Sequence, residues 1–208
     1  NELYILGRCP RMKKINNLLL MTIANISGSG ITAVFWFIIA ALLVPSEYGE
    51  IQYFLSIAGL GYVISLIGTQ TVITVYTAKK IQLQSTLIIL SLVAGTVSGI
   101  VILFLFSKLD VSFLIIAFII NDISLGYILG KRFFAKYSKY FITQKSLTFG
   151  LGLSFYFIFG AEGIILGLAL SYIHFAIIIF NILKSSKINF SLLKTRLGFI
   201  GNNYSISI

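Results

Sequence analysis

Residues 17–50 read NLLLMTIANISGSGITAVFWFIIAALLVPSEYGE. From Asn17 to Val44 the stretch carries no charge, and Pro45, Ser46 and Glu47 then close it. A helix needs about 20 mostly apolar residues to cross ~30 Å of hydrocarbon, so this run can cross a bilayer with some tilt. It is too long for the apolar core of a cleaved secretory signal, and no A-x-A site follows it, although Arg8, Arg11, Lys13 and Lys14 precede it.

Five further runs follow outward from this one. Residues 51–78 end at Lys79 and Lys80, and 86–107 end at Lys108 and Asp110. Residues 111–130 end at Lys131 and Arg132, 143–159 turn at Gly160 and Glu162, and 164–183 end at Lys184. The composition agrees: 58% of the 208 residues are hydrophobic, 11% are charged, and the mean hydropathy is +0.98. A soluble domain carries about 25% charged residues and has too little interior to hide so much hydrocarbon. Two prolines and the rarity of two-residue alternation favour helices over barrel strands. The expected fold is an all-α integral membrane protein, a bundle of six transmembrane helices over 17–183. Residues 1–16 are expected as a cytoplasmic segment, with Met12-Lys13-Lys14 reading as a natural start and 1–11 as non-native. Residues 184–208 are expected as a cytoplasmic amphipathic lead-in to a missing seventh span. Cys9 has no second cysteine to pair with, so it gives no redox signal.

The bases give a second line of argument. The segment before the first run, the 79–80 loop, the 131–145 loop and the tail together hold 15 of the 16 bases, and the alternate loops hold only Lys108. Under the positive-inside rule both termini face the cytoplasm and the number of spans is even. The net charge of +10 is then a topology signal in a cell membrane; a nucleic-acid partner would need a basic soluble domain, and the chain has none.

Glycines four apart occur at Gly95 and Gly99, Gly126 and Gly130, and Gly163 and Gly167, with Gly59, Gly61 and Gly68 in the second run and Gly28 and Gly30 in the first. Such spacing lets helices approach closely in lipid; the other reading makes these glycines hinges or the walls of a cavity. In Lys131–Lys145, Phe133, Phe134, Tyr137, Tyr140 and Phe141 share one helical face and lysines another. That pattern reads as an anchor lying in the membrane interface, or as a basic lip that attracts a lipid-linked phosphate.

A few polar residues fall at membrane depth. Asp122 sits mid-run, where an aspartate costs about 2.5–3.5 kcal/mol, so it should face the bundle interior or a wet cavity. It reads as a transport or proton-coupling group or as a structural hydrogen-bond partner. His174 could pair with it, or could be a packing residue. Asn25, Ser27 and Ser29 make the first run polar, and Gln70 interrupts the second; they either join helices or line a hydrophilic path. Lys145 either snorkels or points into a cavity open to the cytoplasm. No phosphate-binding G-x-x-x-x-G-K-[ST] loop, H-E-x-x-H pair or Cys/His cluster is present. Six acids cannot supply an aspartate-rich divalent-metal site, so no enzyme, metal or cofactor is expected.

One stretch is more specific. Leu43-Val44-Pro45-Ser46-Glu47-Tyr48-Gly49 leads into a run with Gly59, Gly68 and Gln70. This resembles the L-x-P-x-x-Y-G start of polysaccharide and O-antigen flippases, the oligosaccharide branch of the superfamily that also holds MATE drug exporters. Pro45 should stop the first helix, Ser46 should cap the second, Glu47 should favour its positive end, and Gly49 should allow close helix approach. Gly160-Ala161-Glu162-Gly163-Ile164-Ile165-Leu166-Gly167 is similar to the family's approach to the sixth span, and Ser191 to Phe199 looks like the approach to a seventh. The resemblance implies two six-span lobes around a cleft, with this chain as the first lobe and a second lobe or second chain as partner. It implies alternating-access translocation of a polyprenol-diphosphate-linked oligosaccharide for cell-surface polysaccharide synthesis. The alternatives are a MATE-like cation-coupled exporter and a membrane subunit that transports nothing. Relatives hold the phosphates with bases in the cleft, whereas Thr71 to Tyr76 carries none here. The candidate substrate-binding residues are therefore Asn25, Gln70, Asp122, Arg132, Lys145 and His174, with Lys79 and Lys80 near the cytoplasmic mouth.

Overall fold

The computed structural model describes residues 10–66, 68–185 and 188, with backbone only for 10–16. The rest of the expected cytoplasmic segment and of the lead-in to a seventh span lies outside the described residues. Among those described there is no strand. The helices are α1 (Pro10–Leu42), α2 (Pro45–Leu66), α3 (Thr69–Ala78), α4 (Gln84–Phe106), α5 (Leu109–Gly130), α6 (Phe134–Phe159), α7 (Gly163–Ser171) and α8 (Ala176–Ser185), with a 3-10 turn at Ile173–Phe175 between the last two.

Four helical stretches are long and apolar enough to cross a membrane: Asn17–Leu42, Gln84–Phe106, Leu109–Gly130 and Gly163–Ser185. The pair α2 and α3, bent by 45°, makes a fifth if it counts as one span. The bend falls at Gly68, whose φ of 66° is open to glycine and strained for residues with a Cβ. Helix α6 is 26 residues long, but Lys136, Lys139, Gln144 and Lys145 make it too polar to join those four. It begins nine residues before the expected start at Thr143, so the aromatic–lysine segment is its first turns and no separate interfacial loop forms.

The α1–α2 turn also differs from expectation. Helix α1 ends at Leu42 and Pro45 opens α2. A first-turn proline lacks only an N–H that would have no intrahelical partner anyway. Ser46 therefore lies inside the first turn and is not its cap, and a Cβ on Gly49 would meet nothing within 4 Å. Neither residue has the role the motif suggested.

Helix α5 is the hub, packed against α2, α3, α4, α6, α7 and α8, while α1 lies at one side and packs chiefly on α6. The glycine pairs mark these seams. A Cβ at Gly126 would lie 2.9 Å from the Gln70 carbonyl oxygen, and one at Gly130 2.7 Å from that of Thr74, so α3 lies on α5 backbone to backbone. A Cβ at Gly163 or Gly167 would run into the Phe155 or Leu151 carbonyl of α6, and one at Gly95 into the Ile119 side chain of α5. Hydroxyls join the same seams: Thr74 donates to the Gly126 carbonyl at 3.1 Å and Ser112 to that of Gly99 at 2.8 Å. Outward faces are greasy, with Phe37 of α1 77% exposed and Phe104 of α4 85% exposed. Such faces suit contact with lipid tails.

The turns sort into two groups. Lys108, between α4 and α5, reaches Glu50 of α2 at 3.7 Å and Glu162, between α6 and α7, at 3.3 Å. Lys80 after α3, Lys131 and Arg132 after α5 and Ser185 at the end of α8 line one cavity. Alternate turns thus meet at opposite ends of the bundle.

Candidate functional site

The polar residues at depth gather where α2, α5, α6 and α7 converge. Asp122 is on α5, the hub helix, and faces inward as its insertion cost requires. Its Oδ2 accepts from the Tyr62 hydroxyl of α2. Its Oδ1 accepts from the Asn121 amide at 2.9 Å. Lys145 of α6 lies within electrostatic reach of it, without a direct ion pair. Its stem passes close to Gly28, where a Cβ would come within 3.2 Å of Lys145 Cγ; the absent side chain on α1 makes room for the lysine. Its ammonium lies 5.5 Å from the centre of the Phe141 ring.

A second chain of polar groups runs from α6 to α7. The Gln144 amide donates to Thr148 at 2.8 Å, and Thr148 shares a hydrogen bond with Ser171 at 2.9 Å. Gln144 also bonds Tyr172, which feels the charge of Asp122. His174 sits in the 3-10 turn with Nδ1 3.0 Å from the Ser171 carbonyl oxygen, its ring 5.8 Å from that of Tyr140. A 3-10 turn inside a long helical pass breaks the α pattern, and here it carries the histidine.

Beside the cluster lies an open groove of about 620 Å³, lined by Gly59, Tyr62, Phe118, Asn121, Asp122 and Tyr172 among others. Phe118 meets Tyr62 and Tyr172 edge to face at 5.7 and 5.5 Å, forming an aromatic wall. A Cβ on Gly59 would meet nothing within 4 Å, so this glycine leaves room in the groove and makes no helix seam. The arrangement can place a carboxylate, an amide and phenol hydroxyls against a bulky guest with both polar and apolar parts. Among the described residues no group of three His, Cys, Asp or Glu could hold a metal.

Of the six sequence candidates, Asp122 and Lys145 are brought together. His174 does not partner Asp122; it belongs to the Ser171 side and joins the cluster only through Thr148, Gln144 and Tyr172. Gln70 packs at the α3–α5 seam, its Cγ 3.3 Å from where a Gly126 Cβ would be. Asn25 is exposed on α1, and Arg132 is exposed in the basic cavity at the end of α5. Sequence reasoning missed Tyr62 and Tyr172, because a tyrosine inside an apolar run reads as another hydrophobic residue. The available signal was a hydroxyl at the same depth as an unexplained carboxylate.

No family model, curated protein or solved structure matches this chain.

Proposed function

We propose that the chain is one lobe of a membrane transporter, crossing six times with both ends on the cytoplasmic side. The observation that carries this reading is the hydrogen-bonded Tyr62–Asp122–Asn121 group, which lines a groove of about 620 Å³, with the base Lys145 within electrostatic reach behind it. Ionisable groups at membrane depth are expensive, and they mark pathways for ions or substrates. The two interrupted passes add support, since transport sites often form at broken helices. The six-pass count draws on the sorting of the turns: three meet around Lys108, and the others around Lys80 and Arg132. The cargo, a polyprenol-diphosphate-linked oligosaccharide moved by alternating access against a second lobe, comes from the Leu43–Gly49 resemblance. Lys145 is a base near the groove of the kind this cargo needs.

The test is translocation in proteoliposomes holding the native full-length protein or assembly, with a fluorescent polyprenol-diphosphate-linked sugar scored by access to an added quencher. The reading expects protein-dependent flipping that falls at least ten-fold in Lys145→Ala. A second reading, a cation-coupled small-molecule exporter, draws on the Asp122 carboxylate. It expects no flipping but proton- or sodium-driven efflux of an organic cation that Asp122→Asn abolishes. Neither activity, from protein that remains folded, would leave a subunit that transports nothing.

A further inference from the structure

A second cavity, of about 670 Å³, lies at the end of the bundle away from Lys108. Lys80, Lys131 and Arg132 line it with the neutral donors Gln82, Gln84 and Ser185, and no described acid does. It is separate from the groove: Lys131 is nine residues from Asp122 along α5, roughly 13 Å at 1.5 Å per residue.

The backbone beneath the bases is unusual. Helix α3 ends with Ile81 N–H bonding the Tyr76 carbonyl at 2.9 Å and Lys80 N–H bonding that of Thr77 at 3.1 Å. Helix α5 ends the same way, with Phe133 N–H on Ile128 at 3.2 Å and Arg132 N–H on Leu129 at 2.8 Å. Both are Schellman endings, whose left-handed residue is usually glycine. Here those residues are Lys80, with φ 58°, and Arg132, with φ 59°. Strained backbone of this kind tends to collect at functional positions, where something other than stability selects the side chain. Complementing the negative helix ends is one such reason, and Lys79 and Lys131, at the C-cap positions, already supply it. Lys131 is also steadied by Tyr127, whose ring centre lies 5.4 Å from its ammonium. Two ammoniums and a guanidinium around one cavity, with amide and hydroxyl donors between them, match the oxygens of a phosphate.

We propose that the cavity formed by Lys80, Lys131 and Arg132 binds a phosphate group, either a lipid headgroup or a free phosphate. The claim does not depend on what the lobe transports. It separates cleanly from a structural role, because glycine suits both left-handed positions better than lysine or arginine. The variant Lys80→Gly/Arg132→Gly should therefore keep or raise the Tm while losing the ligand. The detergent-purified native protein is examined by native mass spectrometry with phosphatidic acid and with phosphatidylcholine, and separately in the presence of inorganic pyrophosphate. Wild type should retain phosphatidic acid at least ten-fold better than the double variant, with no such difference for phosphatidylcholine. If pyrophosphate displaces phosphatidic acid, the cavity reads the phosphate itself and free phosphate is a competent source; if it does not, the lipid is the source. Equal retention of phosphatidic acid by wild type and a folded double variant overturns the proposal. So does a double variant that loses Tm together with the ligand, since that is the result of a merely structural role.

Discussion

At the scale of single residues, Asp122 sets the energetics. Its Tyr62 hydrogen bond crosses from α5 to α2, and such bonds in membrane bundles average about 0.6 kcal/mol, reaching about 1.7. Tyr62→Phe should lower stability by that order, read by unfolding in mixed micelles. Lys145→Met removes the base within electrostatic reach of Asp122 and should cost more. In an Asp122→Asn background the same change should cost less, and a double-mutant cycle should give a coupling of about 0.5–3 kcal/mol. A coupling of zero would show that the two charges do not sense each other. Lys108 is a different case. Desolvation pulls its ammonium's pKa down, but the hydrogen bond it donates to Glu162 and the charges of Glu162, Glu50 and Asp110 push it up by more, so it is held above the ordinary lysine value of 10.5. A raised lysine stabilises fully below its unfolded value and loses that contribution as the pH climbs through its folded value. The Lys108 contribution should therefore be flat through neutrality and fade in the alkaline range above 10.5. Its glutamate partners are exposed to water, so screening holds Lys108→Ala to under about 1 kcal/mol, and salt should reduce it further. The acid and the base of the site were legible in the sequence because charge is conspicuous in hydrocarbon. Tyr62 was not, since its contact with Asp122 spans 60 positions and exists only in the tertiary structure.

At the scale of elements, the glycines divide by what they touch. Gly130→Leu must push α3 off α5, because the Thr74 carbonyl already lies 2.7 Å from the Cβ position. It should cost about 1–3 kcal/mol or more, the range for overpacking. Gly30→Ala meets open space and should change the midpoint of thermal unfolding little. Equal effects would disprove the seam assignment. The sequence marked Gly28 and Gly30, and Gly59 and Gly61, as equivalent, because spacing alone cannot say which flank of a helix is covered. The first, third and sixth runs were legible because they hold no Asp, Glu, Lys or Arg, and the fourth because it holds only Asp122. The break at Gly68 was hidden inside a continuous apolar run, and only the backbone reveals it. The early start of α6 was hidden by its lysines: Lys136 and Lys139 are exposed, while Tyr137, Tyr140 and Phe141 on the other flank pack against the core.

At the scale of the whole molecule, the sorting of turns makes a direct prediction about sidedness. With Cys9→Ser as background, cysteines at Glu47 and Glu162 should react with an impermeant thiol reagent from one side of a sealed vesicle. Cysteines at Lys79 and Lys136 should react only from the other. Any mixed pattern would break the six-pass proposal, whatever the cargo. The charge count in the sequence already pointed to this alternation. What it could not show is how the charges group, Lys108 paired with its glutamates at one end and three bases lining one cavity at the other. The Schellman endings of α3 and α5 give those bases two duties. Lys80 and Arg132 each terminate a coil of backbone, and under the six-pass proposal each also carries the charge that keeps its turn on the cytoplasmic side. A single residue thus records both where a rod stops and which way round it is threaded. Under that proposal, a chain threaded the other way would carry both the helix stops and their positive charge to the opposite face of the membrane.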